Sequence, residues 1–109
     1  MMNDLEKAFH KDMENIYFEA KKLKYNASYF WQLVCEKGGY ETAKQLIHTD
    51  KPSEGFTSLW ERNSLGLSVE AHVLRDKYVS LFTDEERAVC RNRLVEYGYP
   101  FDSISNLGE

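Results

Sequence analysis

The chain has 109 residues, 42% hydrophobic and 29% charged, a balance that supports a folded core and excludes disorder of the whole chain. Its formal net charge of −4 sets the overall field against phosphate polymers and anionic membranes, so a nucleic-acid role would need a local basic patch. At this length one domain is expected, with little chain to spare for a deep substrate cavity.

The opening MMNDLEKAFHKD carries charges where a secretory segment would be apolar, and nowhere do ~18 apolar residues run together, so a cytoplasmic address and no membrane span are expected. Residues 3–24 then place Leu5, Ala8, Phe9, Asp12 or Met13, Ile16, Ala20 and Leu23 at the three-and-four spacing of one helical face. Asp4 and Glu6 at its start and Lys21, Lys22 and Lys24 at its end complement the helix dipole, which gives the lysine cluster a structural explanation.

The stretch Tyr25 to Gly39 reads as the central helix, capped by Asn26 and stopped at Gly38-Gly39. Its Tyr29, Phe30 and Trp31 are three consecutive rings that point about 100° apart on a helix, so no single core surface holds all three. Phe30, Leu33 and Val34 form the expected inward set. A third helix, Tyr40 to His48, carries Ala43, Leu46 and Ile47, and helix, glycine turn, helix is also the outline of a helix-turn-helix. In that alternative, residues 40–49 bind nucleic acid, with Glu41, Thr42, Lys44, Gln45 and His48 facing the major groove and Lys21, Arg87 and Arg91 supplying further positive charge. Glu41 would then confront phosphate, and no arginine lies on the reading helix.

Thr49-Asp50-Lys51-Pro52-Ser53 is a loop, with Ser53 capping a helix over 53–62 that buries Phe56, Leu59 and Trp60. After a second break at 63–67, Ser68 caps a helix that places Leu67, Ala71, Leu74, Tyr78 and Leu81 or Phe82 on one side. Glu70 in its first turn reads as a cap, with a partner contact as the other reading. Thr83-Asp84-Glu85-Glu86 fits a capping box, and the helix it opens carries Ala88, Cys90 or Arg91, Leu94 and Val95 to Tyr97, where Gly98 ends it. Cys35 and Cys90 are expected inside helices as small core hydrophobes. The expected fold is all-α, a single-domain bundle of roughly five or six short helices over 1–98, with 99–109 as a C-terminal turn and loose tail.

Tyr25-Asn26-Ala27, Gly38-Gly39, Gly55-Phe56, Leu67-Ser68-Val69-Glu70, Leu81-Phe82 and Tyr97-Gly98-Tyr99, with the core apolar residues between them, resemble a small bacterial all-helical family of uncharacterised function. The resemblance covers about residues 15–99 and implies a compact helical domain, and it brings no catalytic residue with it.

The search for chemistry yields little. His10, His48 and His72 fall on different predicted helices with no nucleophile motif beside them, and the pairs His72/Asp76 and His10/Glu14 are ordinary one-turn neighbours. Zinc, calcium and P-loop patterns are missing, so no metal site and no cofactor is expected. Arg62, Arg75, Arg87, Arg91 and Arg93 read as a salt-bridge surface rather than a phosphate track. The aromatic residues Tyr25, Tyr29, Trp31, Tyr40 and Trp60 exceed what a small core encloses, unless inner surfaces on both sides of the second helix take them up. The expectation is therefore a non-enzymatic protein-interaction module, an adaptor, inhibitor or regulatory subunit, that binds another protein through Tyr25, Tyr29, Trp31 and Tyr40. A homodimer is compatible with the same surface.

Overall fold

A computed structural model describes residues 3–100, and all regular structure among them is helical. Five α-helices follow in order: α1 (Asp4–Lys22), α2 (Ser28–Ile47), α3 (Glu54–Glu61), α4 (Val69–Val73) and α5 (Asp84–Glu96), with 3-10 turns at Leu65–Leu67 and Asp76–Leu81. The all-α architecture expected from periodicity is the architecture found. Of the expected tail, Tyr99 packs against the body of the fold, its N–H donating to the Leu94 carbonyl at 2.8 Å, and everything after Pro100 lies outside the described residues.

Helix α1 forms as its spacing dictates. Asn3 accepts from the Glu6 N–H at 2.8 Å, and Phe9, Met13, Ile16 and Ala20 are buried along one stripe. Helix α2 starts one residue later than the Asn26 cap would place it: Ala27 stands at the N-cap position with no side-chain cap bond, because Ala27 is drawn into the interior and Asn26 is left in solvent. At Gly38, φ is 86° and ψ 159°, so α2 consists of two helical halves meeting at a glycine that alone tolerates that backbone. The expected second and third helices are these halves.

The next residue, Gly39, has a different task. A Cβ there would sit 2.8 Å from the His10 Cα and 2.9 Å from the Met13 Cγ, so the missing side chain is what lets α2 touch α1. The Gly39 N–H, unpaired by the break, donates to His10 Nδ1 at 2.8 Å.

Ser53, Ser68 and Thr83 cap α3, α4 and α5, and Thr83 with Glu86 closes the full capping box. Trp60, expected inside, is 45% exposed and lies edge-on against Tyr97 at 5.3 Å. The single helix expected from Ser68 to Phe82 is two pieces, since Arg75 is extended at φ −64° and ψ 139°. Neither proline nor glycine breaks it. Arg87 on α5 donates to the Leu74 carbonyl at 3.2 Å, so a backbone acceptor at the break is satisfied. The break re-aims Tyr78, Leu81 and Phe82 into the core, where Tyr78 and Phe82 meet Phe9 edge-on at 5.0 and 5.2 Å. Each such ring pair adds about 0.5–1.5 kcal/mol beyond area burial, enough to override weak helix propensity in a five-residue piece.

Cys90 is buried, and burial pushes its thiol up to about 12. Cys35, expected in the core, is exposed; both thiols are free.

Candidate functional site

The three consecutive rings at the start of α2 go to three environments. Phe30 turns inward against the core. Trp31 turns to α1, stacking on Tyr17 at 4.6 Å and 27° and meeting Phe18 edge-on at 5.4 Å. Tyr29 turns to solvent and is 66% exposed. The geometric expectation therefore holds, but the second helix absorbs one ring and only Tyr29 stands free of packing. Phe18 is 50% exposed beside Trp31, so the α1–α2 junction carries one exposed large ring against a half-buried one, while Tyr29, two residues before Trp31, points to another side of α2 and stands at the cavity. Tyr17 and Phe18 were legible as aromatic residues off the buried stripe of α1, and sequence reasoning passed over them.

Beneath Tyr29 lies a cavity of about 330 Å³, larger than the length of the chain suggested. Its walls come from Ile16 on α1, Leu33 on α2 and Phe56 on α3, while Tyr25, Tyr29 and Glu54 stand at its mouth. Glu70 also lines it and is only 2% exposed. Glu70 is therefore not a surface contact, and it sits in the first turn of α4 with its carboxylate accepting a backbone hydrogen bond, as a cap does, but from a buried position. Arg93 donates from Nη1 to its Oε2 at 3.0 Å, and the same guanidinium donates to the carbonyls of Leu46 at 3.0 Å and Thr49 at 2.7 Å. Burial pushes the Glu70 carboxyl above the ordinary carboxylate range, while its backbone hydrogen bond and Arg93 pull it back.

The four rings expected to bind a partner do not share one surface. Tyr25 and Tyr29 meet at the cavity mouth, with Arg62 over the Tyr25 ring at 5.3 Å. Trp31 belongs to the α1 contact. Tyr40 lies beyond the Gly38 break and is a packing residue: its hydroxyl donates to the Leu81 carbonyl at 2.8 Å and its ring tilts against Phe82 at 5.5 Å.

The residues of the nucleic-acid alternative are spread over several elements. Lys21 lies over the Tyr17 ring at 5.2 Å, Lys44 pairs with Glu86 at 2.8 Å, and exposed Gln45 is bonded by Lys37. Arg87 is turned to Leu74, and Arg91 is exposed on α5. Thr42, expected to face a groove, is fully buried. The expected arginine surface is likewise divided: Arg93 is interior, Arg62 donates to the Leu23 and Ser58 carbonyls, and Arg75 approaches Asp12 at 3.6 Å. His72 is buried with Nδ1–H donating to the Ser68 carbonyl at 2.8 Å, and burial lowers its basicity. Among the described residues no cluster of His, Cys, Asp and Glu could hold a metal ion, and no helix is long and apolar enough to cross a membrane.

Glu86 gathers the second charged cluster. Burial raises its carboxyl, but hydrogen bonds from Lys44, the Thr83 backbone at 2.9 Å and His48 at 2.7 Å outweigh this and hold it at about 2. A carboxyl lowered on folding contributes stability that is complete above its unfolded value, near 4.5, and is lost as pH falls toward 2. His72, lowered from 6.5, withdraws stability in the same direction, whereas raised Glu70 acts oppositely. Glu86→Gln is therefore expected to flatten the dependence of urea stability on pH between 4.5 and 2.5 by up to about 3 kcal/mol. An unchanged slope would show that the Lys44–Glu86–His48 cluster carries no such stability.

Comparison with family models, with curated proteins and with solved structures finds no match to this chain.

Proposed function

We propose that the chain is a non-enzymatic protein-interaction module of a bacterial cytoplasm, docking another protein across the α1–α2 junction. The observation that carries this reading is the exposure of a large ring on each of the two helices, Phe18 at 50% on α1 beside half-buried Trp31 and Tyr29 at 66% in the first turn of α2. Large rings with few rotatable bonds are the usual anchors of protein interfaces, and rings already held by a stacked neighbour lose little freedom on docking. Trp31, stacked on Tyr17, supplies that support to Phe18, which it meets edge-on.

The test places the photoreactive residue p-benzoylphenylalanine at position 18 or 29 in living cells, with positions 79 and 95 as controls, since Val79 and Val95 are equally exposed but isolated from this junction in sequence. The expected result is one discrete cross-linked protein from positions 18 and 29 and none from the controls. A cross-link to a second copy of the chain would identify the partner as itself. Absence of adducts at 18 and 29, or the same adducts at all four positions, would contradict the reading. Tyr29→Ser should leave thermal stability within about 0.5 kcal/mol of the parent, whereas Phe18→Ser, which removes ring contacts to Tyr17 and Trp31, should cost about 1–3 kcal/mol.

A further inference from the structure

We infer that the cavity beneath Tyr29 is a binding site for a small hydrophobic amine, a ring or branched chain carrying one protonated nitrogen. This goes beyond the docking role and does not depend on it. The size sets the body of the ligand. About 330 Å³ is roughly twice the ~150 Å³ that encloses a benzene molecule in a protein interior, and it reaches the lower end of ligand pockets. A single ring with a short arm fills that space, and Ile16, Leu33 and Phe56 supply apolar walls from three helices.

The polar groups set the head. The charged residues of the lining are Glu54 at the mouth and buried Glu70, and no lysine, arginine or histidine lines the cavity. A carboxylate or phosphate would meet like charge on entry and find no cation. The Glu70 carboxylate already accepts from Arg93 at 3.0 Å, so the choice of head falls to Glu54, which stands exposed at the rim with no cation among the lining residues. An ammonium group matches this rim: it donates toward Glu54, and the face of Tyr29 attracts it at the entrance, the Tyr25 ring being covered by Arg62. Arg93 grips Glu70 Oε2 at 3.0 Å and lies outside the lining, so the carboxylate is fixed before the ligand arrives. Arg62 stacks on Tyr25 but also lies outside the lining, with its donors committed to the Leu23 and Ser58 carbonyls.

Gly55 offers a way to close the cavity. A Cβ there meets only the Ser53 hydroxyl and the Tyr25 hydroxyl, both at 3.8 Å, so a side chain at this position is tolerated and occupies the opening. Isothermal titration of the purified chain at pH 7 should show saturable one-to-one binding of 2-phenylethylamine with Kd on the order of 0.1 mM, and at least tenfold weaker binding of phenylacetate. Gly55→Leu should abolish the amine signal while circular dichroism stays that of the parent. Glu54→Lys, at an exposed position that carries no packing, should weaken the amine at least fivefold and serves equally if Gly55→Leu fails to fold. No saturable amine binding, equal affinity for phenylacetate, or amine affinity unchanged by the folded variants would overturn the inference. None of these results bears on the cross-links expected from positions 18 and 29, so the two readings fail separately.

Discussion

Arg93→Met is expected to cost about 3–5 kcal/mol of folding stability, because it leaves Glu70 buried without its cation. The size follows from how much converges on one guanidinium. Arg93 is interior, pairs with Glu70 at 3.0 Å, and donates to the carbonyls of Leu46, Ile47 and Thr49, which close the end of α2. Leu46 and Ile47 lie in the last turn of α2 and Thr49 just beyond it, with no further turn to accept from, so Arg93 caps α2 from α5. Removing it strands a buried carboxylate and takes a donor from the Ile47 and Thr49 carbonyls at once, while Leu46 keeps the Thr49 hydroxyl. For a domain whose whole stability is on the order of 5–15 kcal/mol, the variant should be marginally folded at 25 °C. Arg93→Met combined with Glu70→Leu should recover part of the loss, since neither charge remains, but not all, since the Ile47 and Thr49 carbonyls still lack their donor. Urea unfolding of the two single variants and the double variant measures this. A loss below about 1 kcal/mol for Arg93→Met would show that solvent reaches the pair.

Gly39→Ala is the second large effect. One methyl group there must occupy space 2.8 Å from the His10 Cα, a backbone atom that moves only if α1 moves. Overpacking of this kind typically costs about 1–3 kcal/mol, and shifting α1 also disturbs the bond from the Gly39 N–H to His10 Nδ1. The melting temperature should fall by on the order of 5–10 °C. Gly55→Ala is the matched contrast, with no atom nearer than 3.8 Å to the new methyl and a gain of about 0.4–1 kcal/mol expected from reduced freedom of the unfolded chain. If both substitutions shift the melting temperature equally, close approach is not what Gly39 provides.

Much of this fold was legible in the residues. The stripe of Phe9, Met13, Ile16 and Ala20, the caps at Ser53 and Ser68, and the box of Thr83 and Glu86 are local patterns with local causes, and each stands where its pattern places it. The break at Arg75 was not legible, because it answers to the distant burial of Tyr78 against Phe9 rather than to any residue beside it. Trp60 failed for a related reason. Helical spacing says which residues share a face and not which face is covered, and α3 is covered only on the side of Phe56 and Leu59.

The candidate site was half legible. Three adjacent rings on a helix had to diverge, which pointed to Tyr29 or Trp31 as the outward one, but the stack of Trp31 on Tyr17 depends on how α1 and α2 cross. Glu70 shows the limit most plainly. In the sequence it is a first-turn glutamate with an ordinary dipole explanation; in the structure it joins a cavity wall to Arg93, 23 residues away. Gly38, Ser68 and Gly98 each have a structural task here: a helix break, a cap and a helix end.

The account rests on Tyr29 standing in solvent at the cavity mouth while the other rings of α2 are packed. Fluorine NMR of the 3-fluorotyrosine-labelled chain, with the Tyr29 resonance assigned through Tyr29→Phe, tests this directly by the shift between H2O and D2O. The expected result is a large solvent shift for Tyr29, a small one for Tyr40 and none for fully buried Tyr78. A Tyr29 resonance as insensitive to solvent as that of Tyr78 would mean the ring is already covered, and would contradict a free docking surface there.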